Sequence, residues 1–361
     1  MQKILILAPN WIGDAVLSLP VVDASGRFWS NSEITVLARA GVAQIFSAAR
    51  PTIQVLEYQR EAGIRRLGRL LELGRRLRRQ RFHLALLLPN SLSSALVVWM
   101  AGVPTRVGYG TDGRGWLLTH RLKSRRKERG LHQVDYYIHL IRSLGASRVD
   151  RIPRLRLNPD IARKAFSLLN ELGVDRNEIL VGVHPGAAYG EAKRWFPERF
   201  AAVLERLQKP ERRFLLLGGP GEELLAEEVS TKARPRPINL VGRTTVVEAL
   251  GLISHCDLFL SNDSGLMHAA AALEVPQVAL FGSTDPQKTA PLNERAVVIH
   301  PKGIECTPCF KPSCASDLEC MRAITVDEVC DAAERLLRGQ AQGGKCGGKQ
   351  MTHDVLVNSK R

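Results

Sequence analysis

Two things are scarce in this chain of 361 residues: long apolar runs, and acidic side chains in its first half. The longest uncharged stretch, Phe82 to Thr105, is broken by Pro89, Asn90, Ser91, Ser93 and Ser94. A bilayer-crossing helix needs about 20 mostly apolar residues, so no membrane span is expected. The opening Lys3-Ile-Leu-Ile-Leu-Ala8 is too short for the apolar core of a signal peptide, and Asp14 stands where a small-residue cleavage site belongs. It reads as a first buried strand, and the expected compartment is the cytoplasm. Aromatic residues make up only 6% of the chain. None are interleaved with the basic runs, which argues against nucleic acid as a partner.

The shortage of acid is local. Residues 1–157 hold 26 Lys/Arg against 10 Asp/Glu, whereas residues 158–361 hold 25 against 26. The whole formal charge of +15 therefore resides in the first half. Such asymmetry points to an anionic partner for that half, an acidic substrate or an anionic membrane surface, with a plain solubility bias as the alternative. Four of the seven cysteines cluster at Cys306, Cys309, Cys314 and Cys320. Their C-x2-C-x4-C-x5-C spacing matches no standard zinc ribbon or finger. A reduced structural cluster is preferred to a metal site, and a disulfide framework is not expected in a cytosolic chain.

What is present is the alternation of a parallel α/β protein. Short apolar runs lie at 3–8, 33–37 and 83–88, then at 179–184, 214–218, 238–241, 258–261 and 278–281, with helical patterns between them. Residues 60–81 place Ile64, Leu67, Leu70, Leu71 and Leu77 on one helical face. Thr245 with Glu248 and Thr325 with Glu328 have the spacing of capping boxes. The length suits two domains. We read 1–157 as an acceptor-binding Rossmann-like domain, 158–177 as a boundary helix, 178–338 as a donor-binding Rossmann-like domain and 339–361 as a disordered tail. The fold class is α/β, two doubly wound domains facing across a cleft.

Four segments that follow strands carry polar groups suited to chemistry. Asn10-Trp-Ile-Gly-Asp14 follows the first strand, at the carboxyl edge where parallel sheets bind ligands. There Asp14 is either an N-cap or a base able to take a proton from an attacking hydroxyl. Ser261-Asn-Asp-Ser-Gly-Leu-Met-His268 ends a strand and opens a helix. Ser264 and Gly265 allow a phosphate to approach backbone N–H groups, Asp263 adds a polar group at the same edge, and His268 lies one turn in. The glycine-bearing loop from Gly186 delivers Lys193 and Arg194, cations suited to a diphosphate. In Gly218-Gly-Pro-Gly-Glu222, a carboxylate such as Glu222 could accept ribose hydroxyls, or could simply sit with Glu223 in an acidic first turn. Gly108-Tyr-Gly-Thr-Asp-Gly113 is a literal G-x-G-x-x-G without a clean helix behind it, so the dinucleotide reading fails. The helix at 60–81 carries nine arginines, Arg75, Arg76, Arg78 and Arg79 among them, and a second basic cluster spans residues 121–129. Both are solvated faces or contacts for phosphorylated lipid at a membrane surface.

Taken in order, Gly13-Asp14 with Pro20, Leu88-Pro-Asn-Ser91, Pro185-Gly186 through Ala192-Lys-Arg-Trp195, and Asn262-Asp-Ser-Gly265 with His268 resemble glycosyltransferase family 9, the heptosyltransferases of lipopolysaccharide synthesis. The resemblance runs to about Leu337. It implies a GT-B fold, an ADP-heptose donor, a heptosyl-Kdo2-lipid A type acceptor whose heptose is extended, and inversion at the anomeric carbon. It further implies that Asp14 is the general base, that Lys193 contacts the donor phosphate or sugar, and that Asp263 to Gly265 with His268 hold the donor. Glu222 is implied as a ribose ligand, with Glu223 as the alternative. No D-x-D metal motif occurs, so no cofactor or metal is expected; cationic side chains and helix dipoles would face the diphosphate instead. The expected location is peripheral, on the cytoplasmic face of the inner membrane. Other readings are transfer of a first or later core heptose, a nucleotide-sugar epimerase needing no acceptor, and a non-catalytic basic module indifferent to loss of Asp14.

Overall fold

The computed structural model describes residues 1–50, 52–59, 65–123 and 130–343. The chain divides into two compact units between Arg156 and Leu157.

In the first unit, β1 (Gln2–Leu7) leads into α1 (Ile12–Phe28), then β2 (Ser32–Arg39), α2 (Ala40–Ala49), β3 (Gln54–Tyr58), α3 (Arg65–Gln80), β4 (Leu84–Leu87), α4 (Leu92–Met100), β5 (Thr105–Tyr109), β6 (His120–Leu122) and α5 (Gln133–Arg142). The sheet order is β3-β2-β1-β4-β5-β6, every pair parallel. Ile4, Leu5 and Ile6 are buried at successive positions. A parallel strand covered on both faces needs such a continuous apolar run rather than alternation. On α3, Leu77 is fully buried and Leu70 and Leu73 pack on the core, while Leu67 and Leu71 are exposed. The apolar face is thus narrower than the sequence spacing predicts. Residues 60–64 of the predicted helix, with Ile64, and 124–129 of the second basic cluster lie outside the described residues.

The second unit begins with α6 (Pro159–Glu171). It continues with β7 (Ile179–His184), α7 (Pro197–Arg206), β8 (Arg212–Leu216), α8 (Glu223–Lys232), β9 (Ile238–Asn239), α9 (Val246–Ser254), β10 (Leu258–Asn262), α10 (Gly265–Ala272), β11 (Gln277–Leu280), α11 (Pro286–Thr289), β12 (Ala296–Ile299), α12 (Glu319–Ala323) and α13 (Val326–Gly343). Its order, β12-β11-β10-β7-β8-β9, is the first sheet's order read from the other edge. Both expected capping boxes form, with Thr245 and Thr325 exchanging bonds with Glu248 and Glu328. Helix α6 packs on α9, where a Cβ on Gly251 would come within 2.9 Å of Ala165. Helix α13 runs five residues past Arg338, where the tail was expected to start; residues 344–361 lie outside the described residues.

Each sheet reverses direction between two central strands, β1 and β4 in one and β7 and β10 in the other. At such a reversal the flanking helices leave toward opposite faces and open a crevice at the carboxyl ends of the strands. Topology therefore places the turns after β1 and β4, and those after β7 and β10, where ligands bind.

Candidate active site

In the first unit, Trp11 occupies the N-cap position of α1, and no side chain caps that end. Asp14 is the third helical residue, half-buried, and is not the cap that the sequence left open. The Tyr137 hydroxyl, on α5, donates to Asp14 Oδ1 at 3.1 Å. A carboxylate in a first helical turn is stabilised by the helix dipole, and each of its oxygens can accept more than one hydrogen bond.

Beside this turn lies a cavity of about 380 Å³. It is lined by Asn10 after β1, Tyr58 at the end of β3, Ser91 and Ser94 after β4, and Arg69 and Arg76 on α3. Arg75, Arg76, Arg78 and Arg79 are all exposed, and of these four only Arg76 lines the cavity. The loop after β4 is held by Arg114, a fully buried side chain. Its guanidinium donates to the carbonyls of Tyr109, Pro89 and Ser91, to Ser94 Oγ and to Asn90 Oδ1. Burial lowers the Arg114 pKa to about 10, against smaller opposing effects of Tyr136 and Asp112. The glycine motif at 108–113 is a matter of packing and turn geometry: a Cβ on Gly108 would come within 3.3 Å of Leu87 Cβ, one on Gly110 would strike the Arg121 side chain at 2.5 Å, and Gly113 has a φ of +69°. The motif begins on the last two residues of strand β5, which sequence reading missed, but only a short 3-10 turn, Gly115–Leu117, opens behind it.

In the second unit, Lys193, Glu222, Asp263 and Ser264 come together at the carboxyl edge. Lys193 Nζ donates to Asp263 Oδ2 at 2.5 Å, and Thr284 Oγ1 donates to the same oxygen at 2.7 Å. Both charged side chains are largely buried, Asp263 the more so. Asn262 pins the neighbouring loop, accepting from the Trp195 N–H at 3.0 Å and donating to the Pro185 carbonyl at 2.7 Å. Ser264 caps α10, its Oγ accepting the Met267 N–H at 3.3 Å, and Gly265 is the first helical residue. His268 is buried one turn in.

Glu222 stands at the N-cap of α8 without capping it. Its Oε2 instead accepts from the Gly219 N–H at 2.9 Å and lies 3.1 Å from His184 Nε2. Burial alone would raise the Glu222 carboxyl. The His184 contact, the Gly219 N–H and the Arg194 charge together outweigh it and hold the group below its usual range. Glu223 turns away and accepts the Gly221 N–H at 2.7 Å, so Glu222 is the one facing the edge. The other ring nitrogen of His184, Nδ1, lies 2.9 Å from Ser264 Oγ. Sequence reading saw His184 only as the end of a strand. It also passed over Thr284, Tyr137 and Arg114 as contributors, and named Asn262 only as part of the family motif.

Cys306, Cys309, Cys314 and Cys320 are free thiols. Among the described residues no group of three or more His, Cys, Asp or Glu is arranged to hold a metal. Among them, too, no helix is long and apolar enough to cross a membrane.

Two parallel sheets in Rossmann order, each with charged and small residues at its reversal point, define a two-domain α/β transferase of the GT-B fold. The chain belongs to glycosyltransferase family 9, the heptosyltransferases, whose model matches residues 70–318. It is similar to lipopolysaccharide heptosyltransferase 2 of Escherichia coli K12, 32% identical over 308 residues, covering 82% of this chain and 88% of that enzyme. Lipooligosaccharide heptosyltransferase 2 of Haemophilus influenzae is 31% identical over 307 residues, with the same coverage. Among solved structures, the E. coli ADP-heptose LPS heptosyltransferase II superposes with a TM-score of 0.79 at 27% identity, covering 94% of this chain and all of that one. The chain is therefore an enzyme, a glycosyltransferase, and neither an epimerase nor a non-catalytic module.

Proposed function

We propose that this enzyme transfers L-glycero-D-manno-heptose from ADP-heptose to the heptose of a lipopolysaccharide inner core, with inversion, as heptosyltransferase II does. The observation that carries the transfer chemistry is Asp14. Its carboxylate lies in the first turn after β1, is not the N-cap of α1 and accepts the Tyr137 hydroxyl. There it takes the proton of the attacking acceptor hydroxyl. The cavity beside that turn, where Asn10, Tyr58, Ser91 and Ser94 join Arg69 and Arg76 with Glu57 and Glu72, suits a hydroxyl-rich saccharide.

The donor's diphosphate is assigned to the N-terminus of α10. Free N–H groups and Ser264 face the anion there, and the Lys193 ammonium has three donors, of which Asp263 occupies one. Cations at that position stabilise charge on departing ADP, which supports turnover without a divalent metal. Glu222 is left to receive ribose hydroxyls. The surplus basic charge of the first unit favours peripheral contact with the anionic cytoplasmic membrane face. Nothing in the site calls for nucleic acid.

The test is to incubate purified protein with ADP-heptose and a heptosyl-Kdo2-lipid A acceptor and weigh the products. Gain of one heptosyl residue, undiminished by chelator, is expected. No product, or product only with added magnesium or manganese, would contradict the respective part of the proposal.

A further inference from the structure

Glu222, His184 and Ser264 form a continuous polar chain through the donor half-site, with contacts of 3.1 and 2.9 Å on the two ring nitrogens. The three residues come from different turns: the end of β7, the turn before α8 and the cap of α10. His184 is 5% exposed, so its nitrogens have little access to water and their partners dictate what they carry. An ionised Glu222 only accepts, so Nε2 must hold a proton. In a neutral imidazole Nδ1 is then bare and accepts from the Ser264 hydroxyl. The one donor of Ser264 is spent internally.

A second proton on His184 reverses that contact. Nδ1–H then donates to Ser264 Oγ, whose other lone pair already accepts the Met267 N–H. With both acceptor positions filled, the Ser264 O–H is left to donate outward. A phosphate oxygen accepts hydrogen bonds and carries negative charge, so it rewards this arrangement twice.

We propose that His184 couples binding of the donor's diphosphate to uptake of one proton, switching the Ser264 hydroxyl from an internal donor to a donor toward phosphate. The inference rests on the ADP site proposed above. The proton comes from solvent and stays on Nδ1; no covalent bond is made or broken. The charged groups around the imidazole are Glu222, the Arg194 guanidinium that acts on Glu222, and the Lys193–Asp263 pair on the adjoining turn. Glu222, 3.1 Å from Nε2, favours a charged imidazole with or without ligand. An anionic diphosphate beside Ser264 adds to that attraction, which is why uptake accompanies binding.

His184 is a positioning residue, and proton linkage separates its role from a merely structural one. ADP binding to the full chain is measured calorimetrically at about pH 8, above the ionisation of a terminal phosphate near about 6, in buffers of different ionisation enthalpy. The expected result is uptake of up to one proton per ADP. ADP affinity should fall by as much as about tenfold per pH unit as the pH rises through the linked range. Adenosine, which lacks phosphate, should bind without uptake. His184→Gln can donate to Glu222 and accept from Ser264 but cannot take a second proton, so its ADP binding should lose the buffer dependence. Absence of ADP binding refutes the donor site itself and the coupling with it. Tight ADP binding with buffer-independent heat overturns the coupling alone, as would uptake with adenosine or uptake retained in His184→Gln.

Discussion

Asp14→Asn is the most direct perturbation of the proposed chemistry. Asparagine is isosteric, and its amide oxygen still accepts from the Tyr137 hydroxyl that now reaches Asp14 Oδ1 at 3.1 Å. The fold loses the favourable placement of a negative charge in the first turn of α1, worth roughly 0.3–1 kcal/mol. What disappears is the ability to accept a proton. Loss of a positioned base costs about 10²–10⁴-fold, or roughly 2.7–5.4 kcal/mol in the barrier. Turnover should fall by that factor in a steady-state assay of heptosyl transfer. The melting temperature should shift by a few degrees at most, and ADP affinity should stay near the parent value, because the donor groups lie in the other unit. A variant that kept more than a tenth of the parental kcat would refute the reasoning. Asp14 would then be a carboxylate that serves the helix dipole and nothing more.

Lys193→Met should weaken ADP binding and also destabilise the protein, by about 3–5 kcal/mol, because Asp263 is left buried without its cation; adding Asp263→Asn should restore the melting temperature but not ADP affinity. Replacing Arg75, Arg76, Arg78 and Arg79 together by glutamine should raise the acceptor KM, more with acceptor in vesicles than with delipidated oligosaccharide, and more at low than at moderate salt. Arg76→Gln alone should affect both acceptors, because Arg76 also lines the cavity; equal kinetics for quadruple variant and parent on vesicles would reduce the patch to a solvated face. The depressed Glu222 carboxyl contributes stability that is present above its unfolded pKa and lost as pH falls through its folded one. The melting-temperature gap between parent and Glu222→Gln should therefore be widest near neutrality and close below about pH 4; a gap independent of pH would contradict the assignment.

The central strands could be read from the chain because their burial is local in origin. β1, β7 and β10 are covered on both faces, and each carries an unbroken run of buried non-polar residues, Ile4–Leu7, Leu180–Val183 and Leu258–Leu260. β3, β6 and β12 were missed, since each is short, sits at a sheet edge or beside one, and carries partly exposed side chains. Whether such a segment pairs is decided by the strand beside it rather than by its own residues. β5 was hidden by Gly108 within it and Gly110 just after it, the second of which has the Arg121 side chain lying against it.

The site divides the same way. Asp14, Lys193, Asp263, Ser264 and Glu222 stood out because each occupies a turn after a strand, where a polar residue is conspicuous. What each does was decided in three dimensions. Asp14 is freed from capping by Trp11, Lys193 is tied to a residue 70 positions away, and Glu222 rather than Glu223 is drawn to the edge by His184. His184 meets its two partners across 38 and 80 residues. Parallel pairing makes that possible, setting His184 level with Ser261 in the ladder between β7 and β10. From the sequence alone came the two-domain α/β architecture, its charge asymmetry and the turns that carry chemistry, because hydrophobic period and turn composition are local properties. The partners of each polar side chain belonged to the tertiary structure, because hydrogen bonds form between atoms that the folded sheet, not the chain order, brings within 3 Å.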